Sequence, residues 1–115
     1  MFVVPSYNYS FNAATKNALD CRNREWARKP LGRASFGGVA AGARALQMLE
    51  QLMTTLKMKA VFEAATIPFV SQFLAPDGQP PAKDVTSQAA REMLDEPARW
   101  EEPRRPLRRA AASAA

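Results

Sequence analysis

Pro5, Ser6, Tyr7, Asn8 and Ser10 stand between a short apolar run and a helical segment. Their chemistry is that of ligand recognition. Tyr7 and Tyr9 offer flat apolar faces with polar tips, suited to a ring system. Asn8 and Ser10 offer donors and acceptors, and the start of the following helix adds outward-pointing backbone N–H groups. Pro5 stiffens the exit from the preceding segment. Such a loop can hold the polar edge of a planar heterocycle. A second set, Ser35, Phe36, Gly37 and Gly38 with Gly42, removes side chains where backbone amides would approach a ligand. It feeds the N-terminus of a helix, which favours electron-rich or anionic groups. Each set alone is a common kind of turn. At the carboxyl ends of adjacent parallel strands, where open α/β sheets bind ligands, the two make one site.

Other chemistries are excluded by composition. The chain has no histidine and one cysteine, Cys21, among 115 residues. Ser-His-Asp and Cys-His catalysis are therefore ruled out, as are histidine-ligated metals and an internal disulfide. Cys21 reads as a small half-buried side chain in a helix. No catalytic side chain and no metal ligand set is expected. With 47% hydrophobic and 23% charged residues the composition is that of an ordinary globular chain, long enough for one domain. No apolar run approaches a membrane span, and the opening residues lack the basic start and the length of a signal peptide. A cytoplasmic location is expected, with no membrane partner. The formal charge of +5 is uneven: Arg99, Arg104, Arg105, Arg108 and Arg109 face only Glu101 and Glu102 in the last nineteen residues.

The elements that must position the two loops read as follows. Residues 1–4 are fully apolar, as in a buried parallel strand. A helix over 13–27 starts at Asn12, a good N-cap. A turn at 29–32 leads to a short strand at 33–36. Leu46, Leu49, Met53 and Leu56 fall at helical spacing and predict a helix over 43–58. A third strand is predicted at 60–64, with Val61 and Phe62 as its apolar centre. An apolar, extended stretch follows at 67–74, then a breaker-rich loop at 75–81. A last helix is predicted over 84–96, burying Val85, Ala89, Met93 and also Ala90 and Leu94, and stopping or kinking at Pro97. Trp26 and Trp100 read as packing or subunit contacts. Residues 101–115, rich in Arg, Pro and Ala, are expected to be disordered. The alternation of strand and helix predicts an α/β fold with a parallel sheet.

Several blocks go further. Val4-Pro5-Ser6-Tyr7-Asn8-Tyr9-Ser10-Phe11, then Lys16-Asn17-Ala18-Leu19-Asp20, Arg24-Glu25-Trp26, Lys29-Pro30, Ser35-Phe36-Gly37-Gly38 and Gly42-Ala43-Arg44-Ala45 occur in order. Together they resemble the NADPH-dependent FMN reductase family over residues 1 to about 100. The resemblance implies a flavodoxin-like three-layer parallel sheet, joined from its third strand onward, so that the first two strands and the phosphate-binding loop are expected to be missing. It implies FMN and NADPH as cofactors and a homo-oligomer. It also implies roles: Pro5, Ser6, Tyr7 and Asn8, with Ser10, at the isoalloxazine and ribityl of FMN, and Ser35, Phe36, Gly37 and Gly38 at the other edge of the ring. In that family the flavin takes hydride from a nicotinamide and passes electrons to a flavin, quinone or similar acceptor, so the absence of histidine is no obstacle. Ser6 stands where the family has an acidic residue, and Asn12 where it has a proline.

Three functions stay open on this reading. The first is an NAD(P)H-dependent flavin oxidoreductase. The second is a non-catalytic, truncated remnant of such a reductase that cannot hold FMN alone. The third, a nucleic-acid or acidic-partner binder acting through the arginines of 101–115, is not favoured, because no aromatic residue is interleaved there for base stacking.

Overall fold

Stretches that alternate between strand-like and helical patterning fold as β1 (Phe2–Pro5), α1 (Ala13–Asp20), β2 (Pro30–Gly37), α2 (Ala43–Thr55), β3 (Lys59–Pro68) and α3 (Asp84–Ser113). The computed structural model describes residues 1–74, 76, 78 and 84–113. The three strands form one parallel sheet in the order β1-β2-β3, with Val4 opposite Ser35 and Phe36 opposite Ile67. The α/β class and the parallel sheet are as the sequence predicts.

Two cores clamp the sheet. On one face Val4 of β1 and Leu31 of β2 pack with Leu19 of α1 and Leu46, Leu49 and Met53 of α2. On the other, Val61 and Ala65 of β3 and Ala34 of β2 meet Ala90 and Met93 of α3. Each large buried side chain contributes about 1.5–3 kcal/mol relative to exposure. The apolar stripe of α2 faces the sheet as its spacing requires: Ala45, Leu46, Leu49 and Met53 are all buried. The Asn12 side chain accepts from the Thr15 N–H at 3.2 Å, which makes it the N-cap of α1.

Several sequence expectations are corrected. The first helix ends at Asp20 rather than 27, and Arg24–Trp26 form a separate 3₁₀ turn. The Glu25 carboxylate accepts from the Asn23 N–H and the Arg22 guanidinium, a local alternative to continuing the helix. The Trp26 indole then donates to the Leu19 carbonyl at 3.2 Å and packs on Phe2. β1 is not covered on both faces, because it lies at the sheet margin and Val3 is half-exposed. Leu94 also lies outside the core, unlike Met93 beside it.

β3 is longer than predicted, and of its predicted apolar centre Val61 is buried whereas Phe62 is not. The register passes from Leu31 opposite Ala60 to Arg33 opposite Ala64, so the β3 side carries extra residues in a bulge. Phe62 sits in that bulge and is 93% exposed. The Arg33 guanidinium fills the irregularity from below. It donates to the Val61 carbonyl at 2.7 Å and the Phe62 carbonyl at 3.3 Å, and pairs with Glu50 of α2. Burial lowers the Arg33 pKa from its ordinary value.

α3 does not stop at Pro97. It runs on through Pro97, Pro103 and Pro106 to Ser113, where the composition predicts a disordered tail. Each proline deprives the carbonyl four residues earlier of its donor. Side-chain contacts offset this: Arg108 pairs with Glu101, Arg104 lies 5.2 Å over the Trp100 ring, and Arg28 donates to the Leu107 carbonyl at 3.1 Å. The loop predicted at 75–81 falls mostly outside the described residues, as does the side chain of Val85.

The hydrogen bond from Arg108 holds the Glu101 carboxyl below the usual carboxylate range. A depressed folded-state pKa adds stability that is whole above the unfolded value, roughly pH 4.3, and fades as pH falls through the folded one. The last turns of α3 should therefore fray in acid before the sheet does. Residue-resolved NMR between pH 5 and 2 checks this, and uniform loss along the chain would contradict it.

Candidate functional site

The loops that leave the carboxyl ends of β1 and β2 lie against each other. The Ser6 N–H donates to the Phe36 carbonyl at 3.0 Å, extending the β1–β2 ladder past Pro5. A Cβ placed on Gly37 would lie 3.2 Å from the Ser6 Cβ and 3.2 Å from the Gly42 nitrogen. A side chain here would be tight, forcing its neighbours to give by a few tenths of an ångström.

The first loop is a tight reversal. Tyr7 and Ser10 exchange backbone hydrogen bonds at 2.8 Å each, and Asn8 and Tyr9 take positive φ of 46° and 70° between them. Both central residues left-handed is the pattern of a type I′ turn, normal for Asn and strained for Tyr. The turn thrusts Tyr7 and Tyr9 outward, both more than half-exposed. Arg44, in the first turn of α2, holds Tyr9 by a cation–π contact with its guanidinium 3.9 Å from the ring centroid. Among the described residues the Ser6 and Ser10 hydroxyls and the Asn8 amide bond to no protein group.

The second loop turns through Ala41 (φ 52°) and Gly42 (φ 82°) into α2. Ser35 does not face outward: it is 1% exposed, and its hydroxyl donates to the Ala41 carbonyl at 2.8 Å. Its place is to hold the loop closed from beneath. Phe36 is half-buried and Gly37 lies at the junction with Ser6. Gly38 is exposed, with nothing within 4 Å of where its Cβ would be. The N–H groups of Gly38, Val39 and Ala40 donate to no group among the described residues. They form an open run of donors at the carboxyl end of the central strand.

The third strand ends in the same region. Phe69, with φ 45°, follows β3 and its N–H reaches the Gly38 carbonyl at 3.4 Å. Asn8, Tyr9, Ala41 and Phe69 thus place left-handed non-glycine backbone in three loops at one end of the sheet. For Tyr9, Ala41 and Phe69 such conformations cost roughly 1–3 kcal/mol each and are found at ligand clamps; Arg28 and Lys57 adopt them too, at the opposite end of the sheet. Ala41 and Phe69 are not among the site candidates the sequence offers, and Arg44, at the start of α2, reads from the sequence as a surface or interface charge ahead of a ligand contact. A signal for Arg44 existed in its place just after the glycine turn. Phe69 had none.

These loops fit the resemblance noted above. The NADPH-dependent FMN reductase family pattern matches residues 1–72, well over half of the described chain. The chain belongs to the NADPH-dependent FMN reductase family. Its three parallel strands in sequential order are a flavodoxin-like arrangement. It is 34% identical over 71 residues to an NAD(P)H-dependent FMN reductase of a Nectria species, covering 62% of this chain and 35% of that protein. It is 38% identical over 61 residues to an NAD(P)H-dependent FMN reductase of Saccharomyces cerevisiae, covering 53% and 31%. It is 42% identical over 55 residues to an NADPH:quinone oxidoreductase of Arabidopsis thaliana, covering 45% and 28%. The chain therefore spans about a third of the length of the curated relatives it matches. FMN and NAD(P)H are the cofactors of this reductase family.

The match to residues 1–72 includes both loops and stops short of α3. A groove of about 610 Å³ opens beside the first loop, between α1 and α2, along Ser10, Phe11, Met48 and Leu52. Of the candidate residues it borders only Ser10. No helix among the described residues is long and apolar enough to cross a membrane, and no cluster of metal-ligating side chains occurs among them.

Proposed function

We propose that the chain supplies the ring-side half of an FMN site for an NAD(P)H-dependent oxidoreductase. The observation that carries this reading is the junction of the two loops. Ser6 bonded to Phe36, and Gly37 pressed against Ser6, bring loops from two separate strands together as one edge.

The residues fit the polar edge of a flavin. The free N–H groups of Gly38, Val39 and Ala40 are donors for ring carbonyls or a ring nitrogen. The Asn8 amide and the Ser6 and Ser10 hydroxyls supply donors and acceptors for the ring and the ribityl hydroxyls. Tyr7 and Tyr9 supply flat apolar surface, with Arg44 fixing the second of them. Bound FMN would supply the redox chemistry, passing to an acceptor the electron pair received as hydride from a nicotinamide. The protein's part is to orient the ring and to place donors where negative charge develops on it. No side chain needs to move a proton, in keeping with a chain without histidine. The acceptor is a flavin or quinone, as the names of the relatives indicate. The location is cytoplasmic and the active form a homo-oligomer. A chain that folds but retains no FMN, the non-catalytic reading, is the competing outcome.

The test separates binding from folding. The purified chain is titrated with FMN, read by quenching of flavin fluorescence, and compared with Gly38→Val. The space around Gly38 is open, so valine should leave Tm unchanged while filling the approach to the free amides. FMN affinity should fall roughly tenfold or more, the loss of one to two good hydrogen bonds. Equal affinity in both proteins would remove the second loop from the site. No FMN binding by either would establish the non-catalytic reading.

A further inference from the structure

At the amino end of β3, remote from the two loops, lies a second cavity, of about 320 Å³. Its walls come from four elements: Arg33 of β2, Glu50 of α2, Lys59 to Phe62 of β3, and Glu96 and Trp100 of α3. The bulge in β3 creates it by turning Phe62 out of the sheet.

We propose that this cavity is a binding site for a planar aromatic anion, its ring against Phe62 and Trp100 and its charge on Lys59. The charges around the cavity decide the sign. Glu50 is spoken for by Arg33. Glu96 takes the Trp100 indole N–H at 2.8 Å and the Arg99 guanidinium at 3.4 Å. Lys59 has no ion pair among the described residues. Arg104 lies over the Trp100 ring, and of the charged residues that line the cavity Lys59 alone lacks an opposite partner among the described residues, while Glu63, next to Phe62 but outside the lining, keeps a buried Oε2 without a partner. The walls decide the shape. Phe62 and Trp100 expose large aromatic surface to water, at 93% and 41%, beside a hollow at the small end of the ligand-pocket range. A flat ring buries that surface, and a carboxylate or phosphate group on it meets the free ammonium.

The probe is 2-naphthoate, titrated into the ¹⁵N-labelled full chain and followed by amide and Trp100 indole shifts. The expected result is saturable binding with one equivalent, with shifts confined to Arg33, Glu50 and residues 59–62 and 96–100. Lys59→Gln and Phe62→Ser should each weaken it roughly tenfold or more, since a charge-assisted contact or an aromatic wall is lost. Both side chains are exposed, so circular dichroism should show both variants folded. Gly38→Val should leave the affinity unchanged, separating this site from the FMN reading. Neutral 2-naphthalenemethanol should bind at least tenfold more weakly. The proposal is overturned if no saturable shift appears, if both variants bind as the parent does, or if the neutral analogue binds equally well.

Discussion

Gly42→Ala should lower Tm by more than about 10 °C, the largest single-site effect expected outside the deep core. Gly42 sits at φ 82°, where an L side chain is strained. Its Cβ would stand 2.7 Å from the Ser35 Cβ and 2.9 Å from both the nitrogen and the oxygen of Phe36. Two of those three neighbours are backbone atoms of the central strand and cannot swing aside. Left-handed strain of about 1–2 kcal/mol adds to an overpacking cost of about 1–3 kcal/mol. At roughly 4–8 °C per kcal/mol for a domain of this size, a total near 3 kcal/mol gives the stated shift. Thermal melting by circular dichroism measures it. A change under about 3 °C would mean that the turn into α2 is not built as described. Ser35→Ala removes only the hydroxyl that reaches Ala41, and should cost about 1 kcal/mol.

Arg33→Met should cost about 2–3 kcal/mol, although it replaces a buried charge with an apolar side chain of similar length. Swaps of this kind are often neutral when a whole ion pair is replaced. Here the guanidinium also serves the Val61 and Phe62 carbonyls, which the bulge removes from the regular ladder. Methionine leaves both without a donor. Glu50 is the minor partner. Its side chain is 49% exposed against 7% for Arg33, so water takes over when the pair is broken. Glu50→Gln should therefore cost about 1 kcal/mol or less. The double variant should lose no more than about 0.5 kcal/mol beyond Arg33→Met alone. Urea melts of the four proteins provide the comparison. Equal costs for the two single variants would show that the ion pair, not the carbonyl bonds, fixes Arg33.

The sequence made the layout legible where patterning was strong. Leu46, Leu49 and Met53 announced α2, and the apolar opening run announced β1. The two candidate loops were found from residue types alone, because glycine, proline and asparagine punctuate strand ends. What was not legible has a common cause. Val61 and Phe62 are adjacent and both apolar, so nothing local distinguishes a core residue from one turned outward by a bulge. That choice is made by Arg33, nearly thirty residues away. Ser35 carries a small polar side chain of a kind suited to ligand contact, yet its neighbour in space is Ala41, and the hydroxyl is consumed within the fold. The helix through Pro97, Pro103 and Pro106 runs against the local preference of each proline, with long-range help from Arg28 and near-range pairs such as Arg108 with Glu101.

The two halves of the proposed FMN site hang from strands of unequal security. The central strand β2 is paired along both sides, whereas β1 has, among the described residues, β2 alone as its neighbour in the sheet and leaves Val3 half in water. Amide hydrogen exchange should accordingly be slowest in β2 and much faster in β1, which opens without global unfolding. The tyrosine turn departs with β1 while the glycine turn stays anchored. Loss of the binding edge thus becomes a local event, preceding the melting of the helices on the α2 face. Any ligand that spans both turns would slow exchange in β1 far more than in β2.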